Sequence, residues 1–477
     1  MSMMSLQFIA LVTGTFFVLW LLGICSKDKK PDSKKTICVL LAASFLPVLR
    51  IDFRFAIALA LFSAVTWFCG KNVRYRKLGI VIALAFLGYF KYTDFFVSSF
   101  ETLLGQSRWG SLKILLPIGI SFYTFSAISY LVDISRGVLT AKSLPEVALY
   151  LAFFPKLTAG PIERSKDFFC QMENPQRVGW STFSAGIQIY TVGIFKKLVL
   201  ADRLGIFVDQ VYGTPLAFDS LTVLLAVLAY SLQIYFDFSG YSDMAIGVAR
   251  ILGISLPKNF DLPYLSHNVT EFWKRWHISL SLWLRDYLYI PLGGNRKGRV
   301  RTCINLMITM VLGGIWHGAS WNYAVWGALH GAALIIHKYW AEFTGSKTKE
   351  HGFASNLCST AVTFAFVSIT WVFFRTSSVE VALQIIGRIF SFANGVRQVY
   401  TWFFFAFAVL LVSSGVSAFC CRKRKLKTNG RNQSRAVAMT PYLDLTNVWN
   451  LTLFFCFCGL ILGLANTGGS PFIYGKY

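Results

Sequence analysis

The sequence predicts an all-α, polytopic integral membrane protein with about 11 to 13 transmembrane or re-entrant helices. Three observations predict it. Of 477 residues, 55% are hydrophobic, 16% aromatic and only 14% charged, with a mean hydropathy of +0.54, which lies outside the range of a water-soluble enzyme of this size. Uncharged or nearly uncharged runs recur along the whole chain. The lysines and arginines collect in short loops between them.

The runs fall at about residues 5–26, 36–49, 55–70, 78–90, 114–132, 180–195, 220–236, 302–336, 352–374, 398–421 and 446–465, with 302–336 long enough for two crossings. Helices are expected throughout, because isolated strands leave their backbone unsatisfied in lipid and the alternation of a membrane barrel is absent. Met1 to Ser26 lacks a basic leader region, and Ile24 before Cys25 fits a lipoprotein site poorly, so an uncleaved first transmembrane helix is expected.

The basic loops set the orientation. Lys27 to Lys35 carries five lysines, Lys71 to Lys77 four Lys or Arg, Arg296 to Arg301 four, and Arg422 to Arg435 seven. Placing all four inside the cell puts the N-terminus outside and makes 36–49 and 55–70 a hairpin. A net charge of +24 in such loops matches anionic lipid and excludes nucleic-acid binding as a function class. The ten cysteines show no zinc-type spacing and lie mostly in apolar runs, so neither disulfides nor a metal is expected. The chain is expected to form a single membrane-embedded domain over 1–477, with N-terminal helices at 1–110, a motif-bearing core at 111–340 and C-terminal helices at 341–477.

Three stretches depart from plain lipid-facing helices. Phe153 to Phe169 mixes Pro155, Gly160 and Pro161 with charges and is expected to be re-entrant or interfacial. Ser231 to Gly247 places Asp237 and Asp243 around Ser239 and Gly240, as in a broken helix whose carboxylates cap the break or relay protons. The tail from Asn466 is loop-like.

The candidate site lies in Asn259 to Arg301 and the uncharged run after it. A helix over Thr270 to Leu288 would align Trp273, Trp276, Leu280, Trp283 and Tyr287 in one aromatic stripe, with His277, Ser281 and Arg285 on another face. Glu271 and Arg275, four apart, form an expected structural pair. No Asp, Glu, Lys or Arg stands between Arg301 and Lys338, yet that run contains His317 in GGIWHGASW and His330 in WGALHG. The run is expected to turn near Gly318 to Asn322. Its first helix carries His317 about 24 Å from Arg301, 16 residues at 1.5 Å each. His317 is then deep and nearer the outer face, with His277 nearer the cytoplasm.

An intramembrane histidine is either satisfied by a neighbouring carbonyl or part of a site. Gly313, Gly314 and Gly318, with Trp316 and Trp321, favour a site for His317, since glycines allow close backbone approach and tryptophans can line a tunnel. His277 stands between catalytic support and a structural hydrogen bond. His330 shares a helix face with His337 but lacks a third ligand, so packing is expected; His267 and His351 lie in loops. The turn Leu292 to Gly298 offers backbone N–H groups with Arg296 and Lys297 to phosphates, a pattern shared with any topogenic loop.

EFWKRWHISLSLWLRDYLYIPLGGNRKG followed by GGIWHGASWNYAVWGALHG resembles the bacterial membrane-bound O-acyltransferases of the alginate O-acetylation type. FFPKLTAGPIERSKDF, QIYFDFSGYSDMAIG and KNFDLPYLS resemble that family's other motifs in its usual order, so the likeness spans about residues 110–340. The D-alanyl transfer proteins of teichoic acid synthesis are more distant relatives. The resemblance implies a ring of helices around a thin, funnelled centre, with the family's essential histidine at His317 and its second motif histidine at His277. It implies transfer of acetyl from cytoplasmic acetyl-CoA toward an extracytoplasmic polysaccharide, with no permanently bound cofactor, in the bacterial inner membrane. A periplasmic, esterase-like acetyltransferase is the implied partner.

The chemistry agrees with the residue types, since imidazole titrates close to neutral pH. His317 would deprotonate the acceptor hydroxyl or carry the acyl group itself. Backbone or Trp N–H groups, or His277, would stabilise the oxyanion, with Asn259, Trp276, Trp316 and Asp286 as supports. Other readings are D-alanyl or long-chain acyl transfer, a secondary transporter or flippase coupled through Asp237 and Asp243, and a non-catalytic scaffold.

Overall fold

The computed structural model describes residues 3–25, 31–105, 110, 112, 114–345, 352–425 and 443–466. Residues 26–30 of the first basic loop, 426–435 of the last, His351 and residues 467–477 of the tail lie outside them. Among the described residues all regular structure is helical, and one isolated bridge joins Phe218 to Val396. Among the described residues, five helices are long and apolar enough to cross a membrane: Leu6–Ile24, Phe53–Lys71, Val73–Leu104, Ser220–Ile251 and Ala354–Arg375. The expected 11 to 13 counted every uncharged run, re-entrant ones included.

The chain divides into two units. One comprises Met1–Thr191, Ser242–Pro257 and Met439–Phe454; the other comprises Val192–Tyr241, Lys258–Ala438 and Phe455–Tyr477.

The first unit holds α1 (Leu6–Ile24), α2 (Ser33–Ile51), α3 (Phe53–Lys71), α4 (Arg76–Leu104), α5 (Ile120–Ser135), α6 (Leu144–Ala152), α7 (Ser165–Glu173) and most of α8 (Trp180–Ile194). The α2–α3 hairpin is defined by its caps: Asp32 Oδ1 accepts from the Lys34 N–H at 2.8 Å and Asp52 Oδ1 from the Arg54 N–H at 2.8 Å. The segment between α6 and α7 is irregular and buried, as its composition predicts, with Phe153 fully covered and Lys156 4% exposed. Neighbouring side chains satisfy its backbone: the Phe154 N–H donates to Ser44 Oγ at 3.2 Å, and the Tyr150 hydroxyl donates to the Glu163 carbonyl at 2.9 Å. That is the condition under which non-helical backbone survives at membrane depth.

The second unit opens with a π-helical turn, Phe195–Ala201, then α9 (Asp202–Gly213) and the first part of α10 (Ser220–Ile251). The wide turn sets Lys197 beside Asp202, five residues on, and the ammonium lies 2.8 Å from Asp202 and 2.6 Å from Asp237. The break expected at Ser239–Gly240 does not occur, and α10 is continuous. Gly240 serves helix packing instead: a Cβ there would lie 2.8 Å from the Gly193 carbonyl oxygen. Asp237 is correspondingly a partner in a buried ion cluster and not a cap.

Next come the short helices α11 (Val269–Arg275) and α12 (Ile278–Leu284), a π-helical turn Arg285–Tyr289, and the hairpin of α13 (Gly298–His317) and α14 (Trp321–Phe343). The hairpin turns where the glycines predicted. Its helices touch backbone to backbone: a Cβ on Gly314 would stand 2.2 Å from the Tyr323 carbonyl oxygen, and one on Gly327 would stand 2.4 Å from that of Met310. The remaining helices are α15 (Phe353–Arg375), α16 (Val379–Phe390), α17 (Thr401–Lys425) and α18 (Val448–Leu464), the last shared with the first unit.

Candidate active site

The aromatic stripe expected over Thr270 to Leu288 is interrupted at its centre. α11 stops at Arg275, Trp276 is extended, and His277 takes the left-handed conformation at φ 43° and ψ 53°. The cause is tertiary. The Asp261 N–H donates to the Arg275 carbonyl at 2.9 Å and the Ile278 N–H to the Asn259 carbonyl at 2.9 Å, so the 259–261 segment takes over bonds that a continuous helix would make. A left-handed non-glycine residue is strained, and such strain concentrates at functional sites. The break separates the stripe: Trp283 packs on Tyr287 at 5.4 Å, while Trp276 stacks on Phe272 at 5.6 Å and meets Trp371 at 4.9 Å. Glu271 and Arg275 pair as expected, at 2.7 Å.

Asn259 and His277 are buried together. Asn259 Oδ1 lies 3.0 Å from His277 Nδ1, 3.3 Å from the Ser279 N–H and 2.9 Å from Ser279 Oγ. The edge-on ring of Phe238 packs 4.7 Å from the imidazole. His277 is 0% exposed, and its Nε2 has no hydrogen-bond partner among the described residues.

His317 is the last residue of α13, and its ring centroid lies 6.3 Å from that of His277. Trp316 at 5.0 Å, Trp326 at 5.4 Å and Phe374 at 5.3 Å surround it. Two elements far apart in sequence thus bring two buried imidazoles within one residue's reach, inside an aromatic enclosure. The Trp326 indole Nε1 is also buried without a partner among the described residues.

His330 contrasts with this pair. Its Nδ1 accepts from Trp273 Nε1 at 3.3 Å and its Nε2 lies 3.0 Å from Thr370 Oγ1, so both nitrogens are satisfied, in agreement with a packing role.

Over residues 135–379 the sequence matches the model of MBOAT, the membrane-bound O-acyltransferase family. The chain belongs to that family. It is an O-acyltransferase and a multi-pass integral membrane protein. It is 44% identical to the probable alginate O-acetylase AlgI of Pseudomonas syringae pv. tomato over 365 residues, 72% of this chain and 68% of that one. It is 37% identical to the peptidoglycan O-acetyltransferase of Helicobacter pylori over 336 residues, 65% and 63% of the two chains. With the teichoic acid D-alanyltransferase of Streptococcus thermophilus it shares 33% over 249 residues, 48% and 59%.

The remaining candidate residues of this acyltransferase fall in different places. Trp316 contacts both histidines, at 5.0 and 6.5 Å between ring centroids. Trp276 is 1% exposed within the aromatic cluster beneath His277. Asp286 lies in the π-helical turn, 2.6 Å from Arg285 Nε. Arg296 and Lys297 are exposed just before α13, at the opposite end of that helix from His317, about 28 Å along the axis. Sequence reasoning missed Phe238, Trp326, Trp371 and Phe374. The last two sit in an uncharged run that carries no mark of which face is covered.

Proposed function

We propose that this acyltransferase moves an acetyl group from cytoplasmic acetyl-CoA toward a hydroxyl of an extracytoplasmic polysaccharide, alginate-like or peptidoglycan. It does so in the bacterial cytoplasmic membrane with its N-terminus outside. The observation that carries the reading is the pair of buried imidazoles, 6.3 Å apart, one on a strained left-handed residue and one at a helix end. The alginate O-acetylase and the peptidoglycan O-acetyltransferase among its relatives support acetyl and a polysaccharide.

In this reaction the hydroxyl oxygen attacks the thioester carbonyl, a C–O bond forms, the C–S bond breaks, and the hydroxyl proton ends on the CoA thiol. His317 acts as general base in that single step, or carries the acyl group between two exchanges, a C–N bond replacing C–S in the first and C–O replacing C–N in the second, and His277 supports it. The unpaired indole N–H of Trp326 beside His317 suits the developing oxyanion. Arg296 and Lys297, on the basic turn assigned to the cytoplasm, take the donor's phosphates; His317, at the other end of α13, faces the acceptor side. A periplasmic esterase-like partner delivers the acetyl group to polymer beyond the membrane's reach. No bound cofactor or nucleic acid enters the reaction.

The test is ester-linked acetate released by mild base from purified envelope polysaccharide and peptidoglycan, in cells with wild type, His317→Ala and His277→Ala at matched membrane levels. Loss of acetate from one polymer in both variants is the expected result. Unchanged acetate in every polymer refutes the proposal; the likeness to the D-alanyltransferase then makes D-alanine ester the next quantity to measure.

A further inference from the structure

We infer that Asn259 is a positioning residue that fixes the tautomer of His277, so that His277 enters the reaction as the proton acceptor through Nε2. The inference rests on the reading above that the histidine pair performs the acyl transfer, and it divides the work between the two rings.

The argument begins with an amide. Oxygen and nitrogen of an asparagine side chain are told apart by their partners. The Ser279 backbone N–H can only donate, and it points at the same Asn259 atom that faces His277. That atom is therefore the oxygen. An amide oxygen only accepts, so His277 Nδ1, 3.0 Å away, carries the hydrogen. A neutral imidazole has one N–H, which leaves a bare lone pair on Nε2. That nitrogen is buried without a partner among the described residues.

The surroundings hold this state. The Ile278 N–H bonds the Asn259 carbonyl at 2.9 Å, His277 is pinned in a left-handed backbone, and Phe238 closes one side of the ring at 4.7 Å. His330 has the opposite tautomer. Trp273 donates to its Nδ1, and Thr370 Oγ1, which already donates to the Val367 carbonyl at 2.8 Å, accepts from its Nε2–H at 3.0 Å. The protein thus keeps two buried imidazoles in opposite tautomers, one saturated and one with an open acceptor.

A chemical consequence follows. Neutral His277 cannot donate to an oxyanion, so that role passes to other donors. A hydroxyl that reaches Nε2 must donate to it. Nε2 takes the hydroxyl proton as the oxygen bonds to the acyl carbon, and passes it to the departing thiolate as the C–S bond breaks. His317 is then left to orient the thioester from the other side.

Two readouts test this. Solid-state ¹⁵N spectra of histidine-labelled protein resolve Nδ1–H from Nε2–H rings; the protein has six histidines, and the His277 signal is the one lost in His277→Ala. The expected signal is Nδ1–H, and an Nε2–H signal overturns the inference whatever the variants do. The second readout is acetate incorporation by membranes supplied with acetyl-CoA across pH. Asn259→Leu is expected to lose about 10²- to 10⁴-fold in rate, as when a catalytic imidazole is left in the wrong tautomer. Asn259→Asp keeps an acceptor for Nδ1–H but adds an anion, so it retains activity while the acid limb of the profile moves to higher pH by about one unit or more. Wild-type rate and profile in both variants overturn the inference; full activity in His277→Ala instead overturns the reading on which it rests.

Discussion

Gly314 and its neighbour Gly313 lie one turn before His317, both inside α13, and differ in what a methyl group would meet. At Gly314 an added Cβ stands 2.2 Å from the Tyr323 carbonyl oxygen and 3.2 Å from the backbone of Gly327. Ordinary contact begins near 3.4 Å, so Gly314→Ala pushes α13 and α14 apart by about 1 Å, against backbone that has no rotamer to change. Overpacking of this kind costs about 1–3 kcal/mol. The displacement is transmitted to His317, three residues on, and a 1 Å misplacement of a reacting group lowers rate by about 10²-fold. At Gly313 the new Cβ meets only Leu284 Cδ1 at 3.1 Å, the end of a flexible side chain. Gly313→Ala should therefore be near neutral, or stabilising by up to about 1 kcal/mol through helix propensity. Thermal unfolding of the purified protein in detergent, followed with polymer acetate in cells, compares the two. Equal melting temperatures and equal acetate in Gly313→Ala and Gly314→Ala would refute the close-contact argument.

Three further outcomes are expected. Lys197→Met leaves Asp202 and Asp237, whose side chains are 2% and 1% exposed, without their shared ammonium; folded yield should fall with a cost of about 3–5 kcal/mol, and adding Asp237→Asn should recover part of it. His330→Ala removes the partner of Trp273 Nε1 and of Thr370, so the melting temperature should drop, by roughly 2–4 kcal/mol in stability, while acetylation per folded molecule and its pH profile stay as in wild type. Asp219 caps α10 through the Thr222 N–H at 2.9 Å and pairs with Arg397 at 2.7 Å; hydrogen bonds from Thr222, then Arg397, hold its carboxyl down at about 2. A carboxyl depressed on folding contributes stability above its unfolded value near 3.8 and loses it as pH falls through about 2. Asp219→Asn should therefore melt lower than wild type at neutral pH, with the gap closing between pH 4 and 2.

Much of this was legible in the residues. The uncharged runs announced helices because lipid admits few other structures, and the Gly318 to Asn322 turn was visible as small residues between two apolar runs. The buried irregular segment after α6 was marked by Pro155, Gly160 and Pro161. His277, His317, Asn259 and Trp316 stood out because polar and indole groups are rare and costly in such surroundings. The structure gathers all four. What the residues did not show has a common cause. The spacing of Trp273, Trp276, Trp283 and Tyr287 satisfies a helical period, and nothing local reveals that backbone from Asn259 to Asp261 competes for the same amides. Gly240 has the same letter whether it breaks a helix or admits another, and only the approach of Gly193 decides. Trp371 and Phe374 lie in a run that is apolar on every face, so periodicity cannot tell lipid from protein.

The sequence alone thus determined the class, the family and the residue types of the site, since those depend on composition and local pattern in a low-dielectric solvent. Which nitrogen of His277 lacks a partner among the described residues, and which imidazole lies beside its ring, depends on residues 18 and 40 positions away, and only the tertiary structure decides that.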